Sequence, residues 1–340
     1  MTLDLLVAGG GPIGLATAIL ARQAGMTVAV KEPRVESHDK ACGEGLMPAA
    51  VEALRALGVH PDGIPFQGIR YSDGRASVSA RFAHGPGLGV RRTHLHEVMR
   101  QRAAELGVQF VDGRVGTLVQ SGSWIESDGV RSRYLVAADG LHSAVRAALG
   151  LGRVARGPRR YGLRQHFSVA PWTDLVEVHW LGAGELYVTP VAAGCVGVAV
   201  LGERPLDLDA AISAVPELAE RLGGAPAASR ILGAGPLRQR TSSRTSGRAL
   251  LVGDAAGYVD ALTGEGLRIG FAEAAAAVSA MVRDDPATYE RDWRSITRSY
   301  RVLTSSLVWA SSHSILRARI VPMAAAMPWA FGRIVDSLGA

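Results

Sequence analysis

The tightest constraint on this chain lies in its first 32 residues. Leu3 to Ala8 is a short apolar run of the kind that forms a strand buried on both faces, and it stops at Gly9-Gly10-Gly11-Pro12-Ile13-Gly14. Leu15 to Ala24 reads as a helix of small and aliphatic residues, and Thr27 to Val30 as a second buried strand running into Lys31-Glu32. Strand, glycine turn, helix, strand and terminal acid make a βαβ unit. Within it Gly9, Gly11 and Gly14 have the G-x-G-x-x-G spacing. The first permits a tight turn, the second lets backbone approach a pyrophosphate, the third allows close helix packing, and the helix N-terminus offers free N–H groups to phosphate. Glu32 then falls where an acid accepts hydrogen bonds from ribose hydroxyls. The unit predicts a dinucleotide site.

Beyond it the pattern changes. Val51 to Leu57 reads as helix, Gly68 to Phe82 as turn-broken antiparallel strands and Thr93 to Leu106 as helix. Val108 to Val111 and Val115 to Val119 read as strands, and Tyr134 to Ala138 as a buried strand leading to Asp139-Gly140. A strand-rich block runs from Tyr161 to Leu201, with Glu177, His179 and Leu181 on one face and Val176, Val178 and Trp180 on the other. The nucleotide-type pattern returns at Ala249 to Val252, followed by Gly253-Asp254 and a long Ala-rich helix. A cofactor domain interrupted by a sheet domain accounts for this order. The expected fold class is α/β: a Rossmann-like domain (1–65, 90–157 and 240–285) interleaved with a mixed antiparallel sheet domain (66–89 and 158–239), with C-terminal helices over 286–340.

Composition removes several classes of function. With 340 residues, 48% of them hydrophobic, disorder is excluded. Cys42 and Cys195 are too few and too far apart for a disulfide framework or a zinc site, so no metal is expected and the setting reads as reducing and cytoplasmic. No signal-peptide pattern opens the chain, and its longest apolar stretch, Ile320 to Gly332, is broken by Pro322 and Pro328. No nucleic-acid motif accompanies the net charge of +6.

Three ordered motifs carry a family resemblance: Gly9-x-Gly11-x-x-Gly14 with Glu32, Asp139-Gly140-Leu141-His142-Ser143-Ala144-Val145-Arg146, and Gly253-Asp254-Ala255-Ala256 followed by Thr263-Gly264-Glu265-Gly266. Together they resemble the FAD-dependent oxidoreductases of the aromatic hydroxylase and geranylgeranyl reductase superfamily, with a p-hydroxybenzoate hydroxylase-like fold, over residues 1 to about 285. The resemblance implies FAD as resident cofactor and NADH or NADPH as transient electron donor. It implies that Glu32 holds the adenosine ribose, that Arg92 sits near the ribityl chain and pyrophosphate, and that Asp139 supports FAD and the approach of NAD(P)H. Asp254 would bond a ribityl hydroxyl, and Gly264, Glu265 and Gly266 would bring backbone against the isoalloxazine ring. Pro12, Arg34, Lys40, Cys42, Gly43, Val115, Gly140, Gly253 and Leu267 are assigned to the same cofactor site. Cys42 is open to two readings, a reactive thiol or a small residue beside a glycine turn.

The chemistry divides two ways. Tyr187-Val188-Thr189-Pro190 looks like the corresponding stretch of bacterial flavin monooxygenases, implying hydroxylation of a small apolar, aromatic or polyketide-like molecule through a flavin C4a-hydroperoxide, as in bacterial secondary metabolism. That reading is put first. Lys40-Ala41-Cys42-Gly43-Glu44-Gly45-Leu46 and Leu262-Thr263-Gly264-Glu265-Gly266 look like geranylgeranyl reductases instead, implying reduction of a C=C bond in a prenyl or other lipid. A flavin-binding protein without turnover is the third reading. Arg164, His166, His179 and Tyr187 are the side chains expected to face substrate.

The tail is unusual in charge. From Trp293 to Val335 it carries Arg294, Arg298, Arg301, Arg317, Arg319 and Arg333 and no acidic residue, with Trp309, Trp329 and Phe331 between them. It reads either as helices packed on the cofactor domain or as a segment that shelters a greasy substrate and touches anionic lipid.

Overall fold

The computed structural model describes residues 2–34 and 39–339. Five parallel strands form the core of an eight-stranded sheet, lying in the order Gln109–Asp112, Val28–Glu32, Leu3–Ala8, Val130–Ala137 and Ala249–Leu251. Val7 lies between Val30 and Val136, and Val136 lies beside Leu250. This central stack is fully buried, as continuous aliphatic runs in a parallel sheet require. Because the pairing is parallel and in step, the strands end together: Ala8 sits opposite both Lys31 and Ala137, and Ala137 opposite Leu251. The segments that follow them therefore converge on one edge, where ligands bind in open α/β sheets.

Helix α1 (Pro12–Gln23) begins immediately after the glycines, α2 covers Pro48–Ala56, α3 Arg92–Glu105 and α4 Ala144–Ala148. The second sheet has seven strands in the order Leu232–Ala234, Arg160–Phe167, Cys195–Glu203, Gly184–Ala192, Leu175–Leu181, Gly68–Ser72 and Ser77–Arg81. All neighbours are antiparallel except Leu175–Leu181 with Gly68–Ser72, so the sheet is mixed. One face carries α5 (Leu208–Ser213) and α6 (Pro216–Leu222), whose Leu208, Ile212 and Leu218 pack on Leu186, Val198 and Val200. Helix α7 (Gly266–Val282) returns to the nucleotide side. The chain closes with α8 (Ala287–Ser311), α9 (Ser314–Ala326) and α10 (Pro328–Gly339), whose Val308, Val321, Phe331 and Val335 pack with Ile69, Tyr71, Val78 and Trp180 of the second sheet.

One expected strand is shifted. Val115 to Thr117 is not strand; pairing begins at Leu118 and runs to Gln120. The Gly116 N–H is taken by side chains, Asp128 Oδ2 at 2.9 Å and Ser127 Oγ at 3.1 Å, so residues 113–117 run as a loop. That loop places Val115 in the wall of the cavity described next.

Candidate functional site

A cavity of about 1190 Å³ runs between the two sheets. It exceeds the roughly 300–1,000 Å³ of a site for one drug-sized ligand, which leaves room for a dinucleotide and a second molecule. Its polar end is built on the glycine turn. Gly9 has φ +101°, and a Cβ there would stand 2.7 Å from the Ala138 carbonyl oxygen. A Cβ on Gly14 would stand 1.9 Å from the Gly9 oxygen, so only glycine lets α1 seat against the turn. Gly14 is thus beneath the wall, whereas Gly11 lines the cavity and meets nothing within 4 Å. The Gly10 N–H donates to Glu32 Oε2 at 2.8 Å, which fixes the carboxylate at the strand end with its second oxygen available to an outside donor. His96 Nε2 lies 2.9 Å from the Gly10 oxygen, an acceptor, so that nitrogen carries a proton. Burial holds the His96 pKa down, opposed by this hydrogen bond.

Arg34, Lys40, Arg92 and Arg114 supply positive charge to the same end. Withdrawal from water lowers the proton affinity of Lys40; Arg92 adds to this and Asp254 opposes it. Burial raises the Asp254 carboxyl above its usual range, against the pull of Lys40, Arg92 and Arg146. Two motifs far apart in sequence are stapled together by Arg146, which donates to the Asp254 and Ala255 carbonyls at 3.2 and 3.0 Å, and to the Leu141 carbonyl at 2.8 Å. Asp139 Oδ2 accepts from the Val145 N–H at 3.1 Å, and its Oδ1 is buried with no partner among the described residues. An unpaired carboxylate oxygen is costly unless a donor arrives. Together with the open side of Gly11 and the fixed Glu32, it fits the site to a dinucleotide with ribityl and ribose hydroxyls.

The sequence-derived cofactor residues converge well. Pro12, Cys42, Gly43, Val115, Gly140, Gly253, Gly264, Gly266 and Leu267 all line the cavity with Glu32, Arg34, Lys40, Arg92, Asp139 and Asp254. Glu265 does not: its Oε1 pairs with Arg268 of α7, and the side chain is buried behind the wall. The four substrate candidates separate. Tyr187 lines the cavity, its hydroxyl donating to the Leu262 carbonyl at 3.1 Å. Arg164 also lines the cavity, but its guanidinium is committed to the loop, donating to the Lys40 carbonyl at 2.7 Å, pairing with Asp39 and lying 2.9 Å from His166 Nδ1. His166 is fully buried between Ser229 and Glu44. His179 is on the opposite face of the sheet, near Glu177 and the α6 residues Glu217 and Arg221, because strand alternation turns it away from cavity-lining Val176 and Val178.

Sequence reading passed over Glu44. It holds φ +57°, unusual for a residue with a side chain, and its buried carboxylate accepts the Arg92 N–H at 2.8 Å while pairing with His166. The loop 39–46 is thereby tied to α3 on one side and the second sheet on the other. An acid between Gly43 and Gly45 was the available signal. The far end of the cavity is apolar, walled by Phe66, Ile69, Tyr71, Val178, Leu201 and Leu237, with Leu338 reaching in from α10.

Residues 2–183 match the FAD binding domain family. The chain is 29% identical to the menaquinone reductase of Mycolicibacterium smegmatis, over 87% of this chain and 80% of that one. It is 31% identical to the menaquinone reductase of Mycobacterium tuberculosis (strain ATCC 25618 / H37Rv), over 78% and 73%. Among solved structures, a p-nitrophenol 4-monooxygenase from Pseudomonas putida DLL-E4 superposes with a TM-score of 0.81 at 19% identity, over 100% of this chain and 98% of that one. Glycine turn, strand-end acid and the two Asp motifs are thus those of an established cofactor fold, and the chain belongs to the FAD binding domain family of flavin-dependent oxidoreductases.

Proposed function

We propose that this enzyme reduces a C=C bond in a long, apolar, prenyl-bearing lipid. The observation that carries the reading is the cavity itself: a polar end suited to the dinucleotide is continuous with an apolar chamber walled by the second sheet and α10. Menaquinone reductases as relatives over most of both chains support the same class of substrate. FAD, when bound, supplies the two-electron redox chemistry, with NADH or NADPH as the source of electrons. The net reaction breaks the C=C π bond and forms two C–H bonds, one from a hydride equivalent and one from a proton.

The protein's share is positioning, water exclusion and proton management. Tyr187 stands where the second sheet meets the loop 262–265 that precedes α7, its hydroxyl oriented by the Leu262 carbonyl. Burial holds its pKa well above the ordinary tyrosine value, so it keeps its proton at neutral pH and can hold one at the seam between the two ends of the cavity. Arg164, His166 and Glu44 fix the loop 39–46 that carries Cys42 and Gly43 past the same seam. The apolar walls keep water from the reacting bond.

Hydroxylation is the second reading, favoured by Tyr187-Val188-Thr189-Pro190, whose tyrosine lines the cavity. Oxygen separates the two. Reduced holoenzyme mixed anaerobically with a prenyl quinone is expected to give a product that, after any quinol is reoxidised in air, stays heavier by two hydrogens in its side chain. A product heavier by one oxygen atom, formed only in air with NAD(P)H consumed, would overturn the reductase reading. A protein that stays colourless after FAD is added would remove both.

A further inference from the structure

Helix α9 departs from the usual division of a helix into a buried and a wet face. Apolar residues occur on all sides of it, yet Val321 is its one buried residue. A helix that is apolar all round normally has a partner all round. Ile315 is 73% exposed and Met323 55%, and with Arg319 between them they recur at the spacing of one helical stripe. The neighbouring helices continue the pattern: Trp309 at the end of α8 is 59% exposed and Trp329 at the start of α10 is 68% exposed. Of the twelve large hydrophobic residues exposed among the described residues, eight fall between Val302 and Ile334, so the exposure is concentrated in this segment. Scattered surface hydrophobes need no explanation, but a concentration of this kind marks a contact surface.

Charge identifies the partner. Arg319 of α9 and Arg333 of α10 are exposed and make no ion pair among the described residues, and no acid occurs between Trp293 and Val335. The next acid, Asp336, accepts the Ala83 N–H at 2.9 Å. Exposed indole rings, aliphatic side chains and unpaired guanidinium groups on short helices have the chemistry of a segment lying in the headgroup region of an anionic bilayer. No helix among the described residues is long and apolar enough to cross a membrane, so the contact would be peripheral.

We propose that α9, with the adjoining ends of α8 and α10, docks this enzyme on the surface of an anionic phospholipid bilayer. The inner sides of these helices pack over the second sheet, with Val321 and Phe331 beside the sheet residues and Leu338 in the cavity wall. The bound surface therefore backs onto the apolar chamber. Docking stands independently of the reaction catalysed and is measured without substrate.

The test is flotation of FAD-loaded protein with phosphatidylcholine vesicles, with and without phosphatidylglycerol. Binding to the phosphatidylglycerol vesicles that weakens with salt is expected. Arg319→Glu should lower the partition by roughly tenfold or more. Ile315→Ser combined with Trp329→Ser should abolish it, with flavin absorbance and thermal midpoint unchanged, because both side chains are exposed. Absence of wild-type flotation, or undiminished flotation of both variants, overturns the proposal. So does light scattering that shows a dimer dissociated by the same serine substitutions without vesicle binding, since the face would then belong to a second copy of this chain.

Discussion

Gly11 and Gly14 belong to one motif but answer to different constraints. A Cβ on Gly14 meets the Gly9 carbonyl at 1.9 Å, backbone against backbone, and neither side can yield. Gly11 has φ −69° at the α1 N-cap, which alanine adopts readily, and its open side faces the cavity. Gly14→Ala is therefore expected to cost about 3 kcal/mol or more of stability, seen as a lower thermal midpoint with or without FAD. Gly11→Ala should fold within about 1 kcal/mol of the wild type yet bind FAD more than about tenfold more weakly, a loss of about 1.4 kcal/mol, as read by flavin titration. An outcome in which both variants lose stability equally would contradict this division. The motif's spacing was legible at the residue scale because it depends on local backbone alone. Glu44 was not, since its partners His166 and the Arg92 N–H are distant in sequence, and an acid between two glycines marks the position without naming what it meets.

At the scale of elements, α7 was legible as a long Ala-rich helix after Gly253-Asp254, and its small residues suit close packing: a Cβ at Gly270 would come 2.4 Å from Ile13 of α1. Glu273, about two turns into the helix, carried no comparable signal. It is buried, and its Oε2 accepts the Gly253 N–H at 2.5 Å, so α7 holds the turn that presents Asp254. Burial pushes the Glu273 carboxyl up to about 8, partly offset by the Gly253 hydrogen bond. The folded state therefore keeps a proton that the unfolded chain releases near the ordinary glutamate pKa. This contribution to stability is complete below about pH 4.5 and is lost as pH rises through about 8. Glu273→Gln, which preserves an acceptor for Gly253, should flatten the fall in thermal midpoint across that window. An unchanged slope would mean that Glu273 ionises in the fold without penalty. Strand ends were less legible than helices: the loop 113–117 escaped the pattern because Gly116 is held by Ser127 and Asp128 side chains rather than by a strand partner.

At the scale of the whole molecule, cofactor binding and folding are coupled. The site gathers segments from residues 8–13, 31–34, 40–47, 92–96, 138–144 and 252–267 around one sheet edge, and it leaves Asp139 Oδ1 unpaired among the described residues. Ligand that binds only the folded state at a hundredfold excess over its Kd adds about 2.7 kcal/mol, so FAD added to apoprotein should raise the thermal midpoint by roughly 5 °C. No shift on titration with FAD would contradict the assigned cofactor site. Sequence by itself determined the nucleotide unit, the return of the cofactor pattern at Gly253-Asp254 and the acid-free tail, because each is written in contiguous residues through backbone conformation, periodicity or charge. Only the tertiary structure decided which of the candidate side chains meet. It buried His166 behind the loop 39–46, turned His179 to the far face and left Tyr187 and Arg164 in the cavity wall, Arg164 with its guanidinium committed to that loop. Those outcomes depend on strand register and on which sheet face each neighbouring element covers, and both are properties of long-range packing.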